Sequence, residues 1–244
     1  AGMLATAAAP LLAWWFWRFA RRDDDAVIAS PVFPLLLALL PLAAVDFPSV
    51  LAKPYEFLTA LGVLLWFVTV WRRLRVHPLG WARLVAFGLL AAALFATYYL
   101  WFAGVAIAAL AFLPWMQPRR ALRALARWLA LAAITLAGSA WYWGPLAASY
   151  LRHGMENWQP AFFVASDFSF FPPGVFTPRS AWLWLGLTAL VVFRRRPLVR
   201  PALHLLLACY VWQVASFVAT VSGDAPFEAA RTFPYLGEVI LAYG

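Results

Sequence analysis

The amino-acid sequence predicts an all-α fold, a polytopic transmembrane helix bundle of about eight to nine spans. Three observations predict it. Hydrophobic residues make up 65% of the chain and charged residues 12%, more apolar surface than a soluble core of 244 residues would bury. The apolar residues are gathered into runs of membrane-crossing length. The 19 Lys and Arg cluster at the ends of those runs. A formal charge of +9 is then a signal of topology and not a nucleic-acid footprint, and no nucleic-acid partner is expected.

The first span covers about Gly2 to Phe19 and ends in Arg18, Arg21 and Arg22, followed by Asp23 to Asp25. Consecutive carboxylates cannot converge on one ion from a helix or a strand, so this triplet reads as a solvated loop. No basic stretch precedes the run, which therefore differs from a signal peptide in form. The last run is open-ended as well, and the chain is expected to be an internal piece of a longer polytopic protein. The second span, Ala26 to Val45, holds Pro31, Pro34 and Pro41, each lacking a backbone donor, which predicts a bent or broken helix. The loop DFPSVLAKPYEF and a third span, about Tyr55 to Trp71, come next.

Leu79 to Trp115 is nearly all apolar and far longer than the about 20 residues one crossing needs. It must turn back on itself, and Tyr98, Tyr99 and Trp101 near its middle suit an interfacial turn. Gln117 to Arg127 has its arginines on one helical face and reads as a short interfacial helix on anionic lipid. The sixth span, Trp128 to Ser149, contains GSAWYWGP, where small residues permit close helix contact. Further spans are predicted at Ser180 to Phe193, Ala202 to Val221 and Tyr235 to Gly244. Cys209, the single cysteine, reads as lipid- or core-facing filler, and His204 as a packed or snorkelling histidine.

These spans place residues 1–244 in a single transmembrane domain. Loops 18–25, 72–83, 117–127 and 194–200 carry all the Lys and Arg except Lys53, Arg152, Arg179 and Arg231. By the positive-inside rule they are cytoplasmic, and the chain is expected in the plasma membrane as a multi-pass protein. Loops 46–54, 98–101, 149–179 and 222–234 then form a working face outside the cell or in the periplasm. Every carboxylate beyond the Asp23 to Asp25 triplet falls near that side: Asp46, Glu56, Glu156, Asp167, Asp224, Glu228 and Glu238.

The short cytoplasmic loops carry no glycine-rich phosphate cradle, so a nucleotide-driven pump is unsupported. The candidates for chemistry are on the outer loops. Ionisable groups at span ends are costly unless paired or solvated, which singles out Glu56 and Arg231. Arg231, helped by Lys53 or Arg152, has the charge to bind a lipid phosphate; pairing with Asp224 or Glu228 is the equally weighted alternative. The long loop from Tyr150 to Arg179 gathers His153, Glu156, Asn157, Trp158, Gln159 and Asp167 between two apolar spans. His153 is the only histidine on that side, so neither a Ser-His-Asp arrangement nor a metal-ligand cluster can be assigned. No cofactor is identified and no metal site is expected from these residues; a divalent cation is left open.

The order of features resembles one family. KPYEF at 53–57, the hairpin ATYYL at 96–100, GSAWYWGPL at 138–146 and a polar outer loop entering an apolar helix at 180–193 are similar to the GT-C polytopic glycosyltransferases. The resemblance is greatest to the galactan 5-O-arabinofuranosyltransferases of mycolic-acid bacteria, and Arg231 ahead of the final span has a counterpart there. It implies a GT-C-like bundle and transfer of a sugar, arabinofuranose in that family, from a polyprenyl-phosphate donor to a cell-wall glycan. The partners implied are the polyprenyl-phosphate sugar lipid, the glycan acceptor and membrane lipid. It also implies that the catalytic carboxylate lies in an earlier outer loop, outside this chain. Lys53, Arg152 and Arg231 would hold the donor phosphate. Tyr55, Glu56, Tyr98, Tyr99, His153, Glu156 and Asp167 would meet the sugar or acceptor. Where the family tends to have an acidic residue this chain has Lys53, and Asn157-Trp158-Gln159 replaces a histidine-tyrosine pair. Two rivals remain: a transporter or flippase of a lipid-linked sugar or other amphiphile, which needs polar groups deep in the spans, and a non-catalytic membrane scaffold.

Overall fold

A computed structural model of the chain describes residues 14, 54–76, 79–113, 118–154, 172, 177–222 and 232–244. Among the described residues the fold is all-helical, with no strand and eight helices. They are α1 (Pro54–Val76), α2 (Trp81–Thr97), α3 (Trp101–Phe112), α4 (Pro118–Gly138), α5 (Ala140–His153), α6 (Pro178–Val192), α7 (Val199–Val221) and α8 (Thr232–Tyr243). Three are long and apolar enough to cross a membrane, over Tyr55–Arg75, Ala121–Gly138 and Val199–Ala219. The expected spans at 2–19 and 26–45, with their prolines and the acidic triplet, lie outside the described residues apart from Trp14.

Contacts divide the chain into two units. The first comprises Ala1–Arg72, Phe170–Leu206 and Tyr235–Gly244, and the second Arg73–Ser169 and Leu207–Pro234.

In the first unit α1 is apolar around its whole circumference. It is buried from Phe57 to Trp71, with Leu58 half-buried, which is the pattern of a helix enclosed by others. Its polar groups are satisfied within the helix: the Thr59 and Thr69 hydroxyls donate to the carbonyls of Tyr55 and Leu65 at 2.6 and 2.7 Å. His204 is packed, as the sequence suggests. Its ring lies 5.4 Å from that of Trp71, and Nδ1 donates to the Arg200 carbonyl at 2.7 Å.

α6 starts where its sequence makes a capping box. Thr177 Oγ1 accepts from the Ser180 backbone N–H at 3.1 Å, Ser180 Oγ accepts from the Thr177 N–H at 2.7 Å, and Pro178 follows the cap. Thr177→Ala should therefore cost about 1 kcal/mol. Thermal unfolding in detergent micelles checks this: Thr177→Ser keeps the acceptor and should melt with the wild type, and equal losses in both would exclude the cap as the cause. Further along α6, Gly186 meets the backbone of α8, with the Leu241 carbonyl against its Cα. Gly244 lies beside Gly186 and Leu190, so successive turns of the two helices meet in the same order and they run the same way.

In the second unit the apolar run from 79 to 115 turns back where the aromatic residues predict, at Tyr98 to Leu100 between α2 and α3. α2 buries Leu84, Phe87, Gly88, Ala91 and Ala92, the three- and four-residue spacing of one helical face. That face packs along α4. A Cβ on Gly88 would sit 2.7 Å from Ile134 Cβ, and one on Gly138 would sit 2.9 Å from Ala92 Cβ. The Thr135 hydroxyl lies 2.8 Å from the Leu131 carbonyl and 3.5 Å from that of Gly88. Gly88 faces Ile134 and Ala92 faces Gly138, so α2 and α4 are parallel and α3 is the return stroke between them.

The structure corrects the reading of 117–149 in two ways. The basic segment is not a separate interfacial helix, because α4 runs unbroken from Pro118 through the arginines to Gly138. The expected span from Trp128 to Ser149 is broken at Ser139, whose hydroxyl donates to the Thr135 carbonyl at 2.7 Å. The Leu136 carbonyl, in the last turn of α4, accepts the Trp143 indole N–H at 2.8 Å, and Pro145 leaves the Trp141 carbonyl without its usual donor. At the break the Thr135 and Leu136 carbonyls are thus met by the side chains of Ser139 and Trp143. On α7, Cys209 is buried as expected, and Leu207, Val211, Val214, Val218 and Val221 form an exposed row suited to acyl chains.

Candidate functional site

The parallel pair gives the second unit two chemically different ends. Arg83 lies in the first turn of α2 and Arg119, Arg123 and Arg127 in the first turns of α4, where the Arg127 guanidinium sits 5.2 Å from the centroid of the Trp81 ring. The opposite end is aromatic. α2 ends at Thr97, and Tyr98 leaves the helix with φ −155° while its N–H still donates to the Leu94 carbonyl at 2.9 Å. That change of direction stacks Tyr98 on Trp101, with centroids 4.3 Å apart.

It also turns Tyr99 outward. Its ring is 39% exposed and lies 6.1 Å from Phe95 and 6.4 Å from Tyr142. Tyr142 comes from α5, just past the break at Ser139, and Trp141 beside it is 72% exposed with its ring 6.1 Å away. The α2–α3 turn and the α4–α5 break thus bring Tyr99 and Tyr142 together at one end of the unit. Each ring offers an apolar face with a polar tip. The sequence points to Tyr98 and Tyr99 but not to their partner. Tyr142 stands there only as the middle one of three adjacent aromatic residues in GSAWYWGP.

The other sequence-predicted residues are distributed differently. Arg152 and His153 are exposed in the last turn of α5, where positive charge favours the helix terminus, and Gly154 at φ 75° closes the helix. Arg152 is ten residues beyond Tyr142, about 15 Å along the helix axis. These two residues are not brought to the tyrosines. In the first unit Tyr55 is exposed and Glu56 half-buried in the first turn of α1, where a carboxylate complements the helix N-terminus. That gives Glu56 a structural role in addition to its candidate chemistry. Lys53, Arg231, Glu156 and Asp167 lie outside the described residues, with Asn157, Trp158 and Gln159. Among the described residues no group of three or more His, Cys, Asp or Glu side chains gathers in a way that would hold a metal ion.

Comparison with protein-family models and with curated proteins finds no match to this chain. Among the described residues the fold is all-helical, with three helices long and apolar enough to cross a membrane.

Proposed function

We propose that the chain is the middle of the membrane domain of a GT-C-type glycosyltransferase. It would move a sugar, arabinofuranose by its resemblance, from a polyprenyl-phosphate donor to a cell-wall glycan at the outer face of the plasma membrane. The observation that supports this reading best is the pairing of Tyr99 with Tyr142, next to Tyr98 stacked on Trp101, at the end opposite the arginines. With arginines on the cytoplasmic side, the tyrosines face outward, where donor sugar and acceptor would meet. A pyranose or furanose ring has C–H surface and a hydroxyl rim, which an exposed tyrosine matches with its ring and its phenol. Glu56 and Arg231 remain, by the resemblance, the candidates for acceptor and donor phosphate.

The transporter reading needs polar groups available inside the helices. Thr59, Thr69 and Thr135 are each bonded to the carbonyl one turn back, and His204 to that of Arg200, which takes these four out of its reach; Gln213 and Ser216 are the buried polar side chains of α7 that it would use. The test uses the full-length parent in membranes and measures transfer of radiolabelled sugar from polyprenyl-phosphate donors to glycan acceptors. Glu56→Gln and Arg231→Ala should lose transfer while accumulating normally. Tyr99→Ala should lower it about tenfold, the worth of one aromatic contact. Labelled lipid crossing the bilayer with no donor supporting transfer would put the flippase in place of the enzyme.

A further inference from the structure

The basic end of the second unit holds a feature that glycosyl transfer does not use. Arg127 faces α2, on the side of α4 that also buries Ala124 and Leu131. Because Gly88 is level with Ile134, Arg127 is level with the first residue of α2, and α4 extends beyond that point by more than two turns. The guanidinium lies over the ring of Trp81, a residue that is 68% exposed. Its Nη1 is buried and has no hydrogen-bond partner among the described residues. A buried guanidinium N–H without an acceptor is costly, and among the described residues no carboxylate is bonded to it. Arg123, one turn earlier on a neighbouring face, is exposed and spends only its Nε, on the Arg119 carbonyl at 3.3 Å.

We propose that Arg127 and Arg123, with Trp81 beside them, hold the phosphate of an anionic phospholipid in the leaflet at the arginine end. This rests on the membrane-spanning reading of the helices, not on the glycosyltransferase reading. The planar fork of an arginine matches two phosphate oxygens, and Nη1, closed off where the guanidinium lies on Trp81, gains an acceptor when the flexible side chain turns toward the headgroups. The indole, which is mostly exposed, sits where headgroup meets acyl chain. A soluble phosphate would find the charge but no use for the exposed Trp81 ring beside it, which favours the lipid.

The experiment purifies the protein in mild detergent, reconstitutes it in nanodiscs of phosphatidylcholine with a minor share of phosphatidylglycerol, and counts tightly held phosphatidylglycerol by native mass spectrometry. Arg127→Gln should lower the amount held about fivefold and Arg123→Gln about twofold, near the effect of one charge at a membrane surface. Arg195→Gln, an exposed arginine outside the cluster, should leave it unchanged. Equal losses in Arg195→Gln would show diffuse attraction and overturn the site, as would unchanged retention in Arg127→Gln. Should Arg127→Gln fail to fold, unchanged retention in Arg123→Gln overturns it. Carbonate extraction separates the two levels: release of the wild type from membranes would remove the membrane reading itself, whereas a pelleted protein that does not prefer phosphatidylglycerol removes the lipid site alone.

Discussion

Gly186→Ala should be the most damaging single methyl group in the described helices, lowering stability by about 3 kcal/mol. The new Cβ would fall on the Leu241 carbonyl, a backbone atom that accepts from the Gly244 N–H at 3.1 Å, so no rotamer change relieves the contact. α6 and α8 would have to move apart, and the packing of Gly244 beside Gly186 and Leu190 would go with it. Unfolding of the detergent-solubilised protein by graded denaturing detergent measures the loss. Truncating Leu241 to alanine should give no rescue, because the obstacle is main chain. Gly186→Ala with wild-type unfolding would mean that the close approach of α6 and α8 is wrong.

Gly88→Ala makes the opposite case, because the atoms it meets belong to a side chain. The new methyl lies 2.5 Å from Ile134 Cγ2 and 2.7 Å from its Cβ. A β-branched side chain on a helix has little χ1 freedom, so Ile134 cannot swing clear and the single variant should lose about 2 kcal/mol. Ile134→Ala removes Cγ2, and the double variant should recover about 1 kcal/mol relative to the sum of the two single losses. Four unfolding curves decide it. Strict additivity would mean that the two residues are not neighbours and would undo the parallel pairing of α2 and α4.

Helix positions were legible in the sequence wherever the cause was local. A run too long for one crossing, with tyrosines at its centre, can only be a hairpin, and the structure turns it at Tyr98 to Leu100. The apolar stretch beginning at Tyr55 is α1, extended by one residue before it and by the basic turn after Trp71. The break at Ser139 was not legible, because Gly138 and Ser139 are tolerated inside a helix and nothing nearby in sequence demands an end. What ends it is a set of satisfied groups, Ser139 to Thr135 and Trp143 back to Leu136, whose geometry appears only once the chain is folded. The continuity of α4 was hidden for the converse reason: charge suggested a boundary at Arg127, but its guanidinium lies across Trp81 while the helix continues past it. The site was half legible. Tyr98 and Tyr99 stand out as a pair, while the approach of Tyr142 depends on the parallel packing of helices far apart in sequence.

That packing also sets a thickness. In the second unit the arginine and Trp81 at one end and Tyr98 at the other bracket α2, whose 17 residues rise about 25 Å. A typical hydrocarbon core is about 30 Å deep. Tilting lengthens no helix, so α2, shorter than α4 beside it, meets the bilayer by drawing the lipid inward around it and by the stretching of the neighbouring arginines outward to the headgroups. The protein would then partition toward thin membrane, and reconstitution into bilayers of graded acyl length should show greatest stability in the shorter lipids.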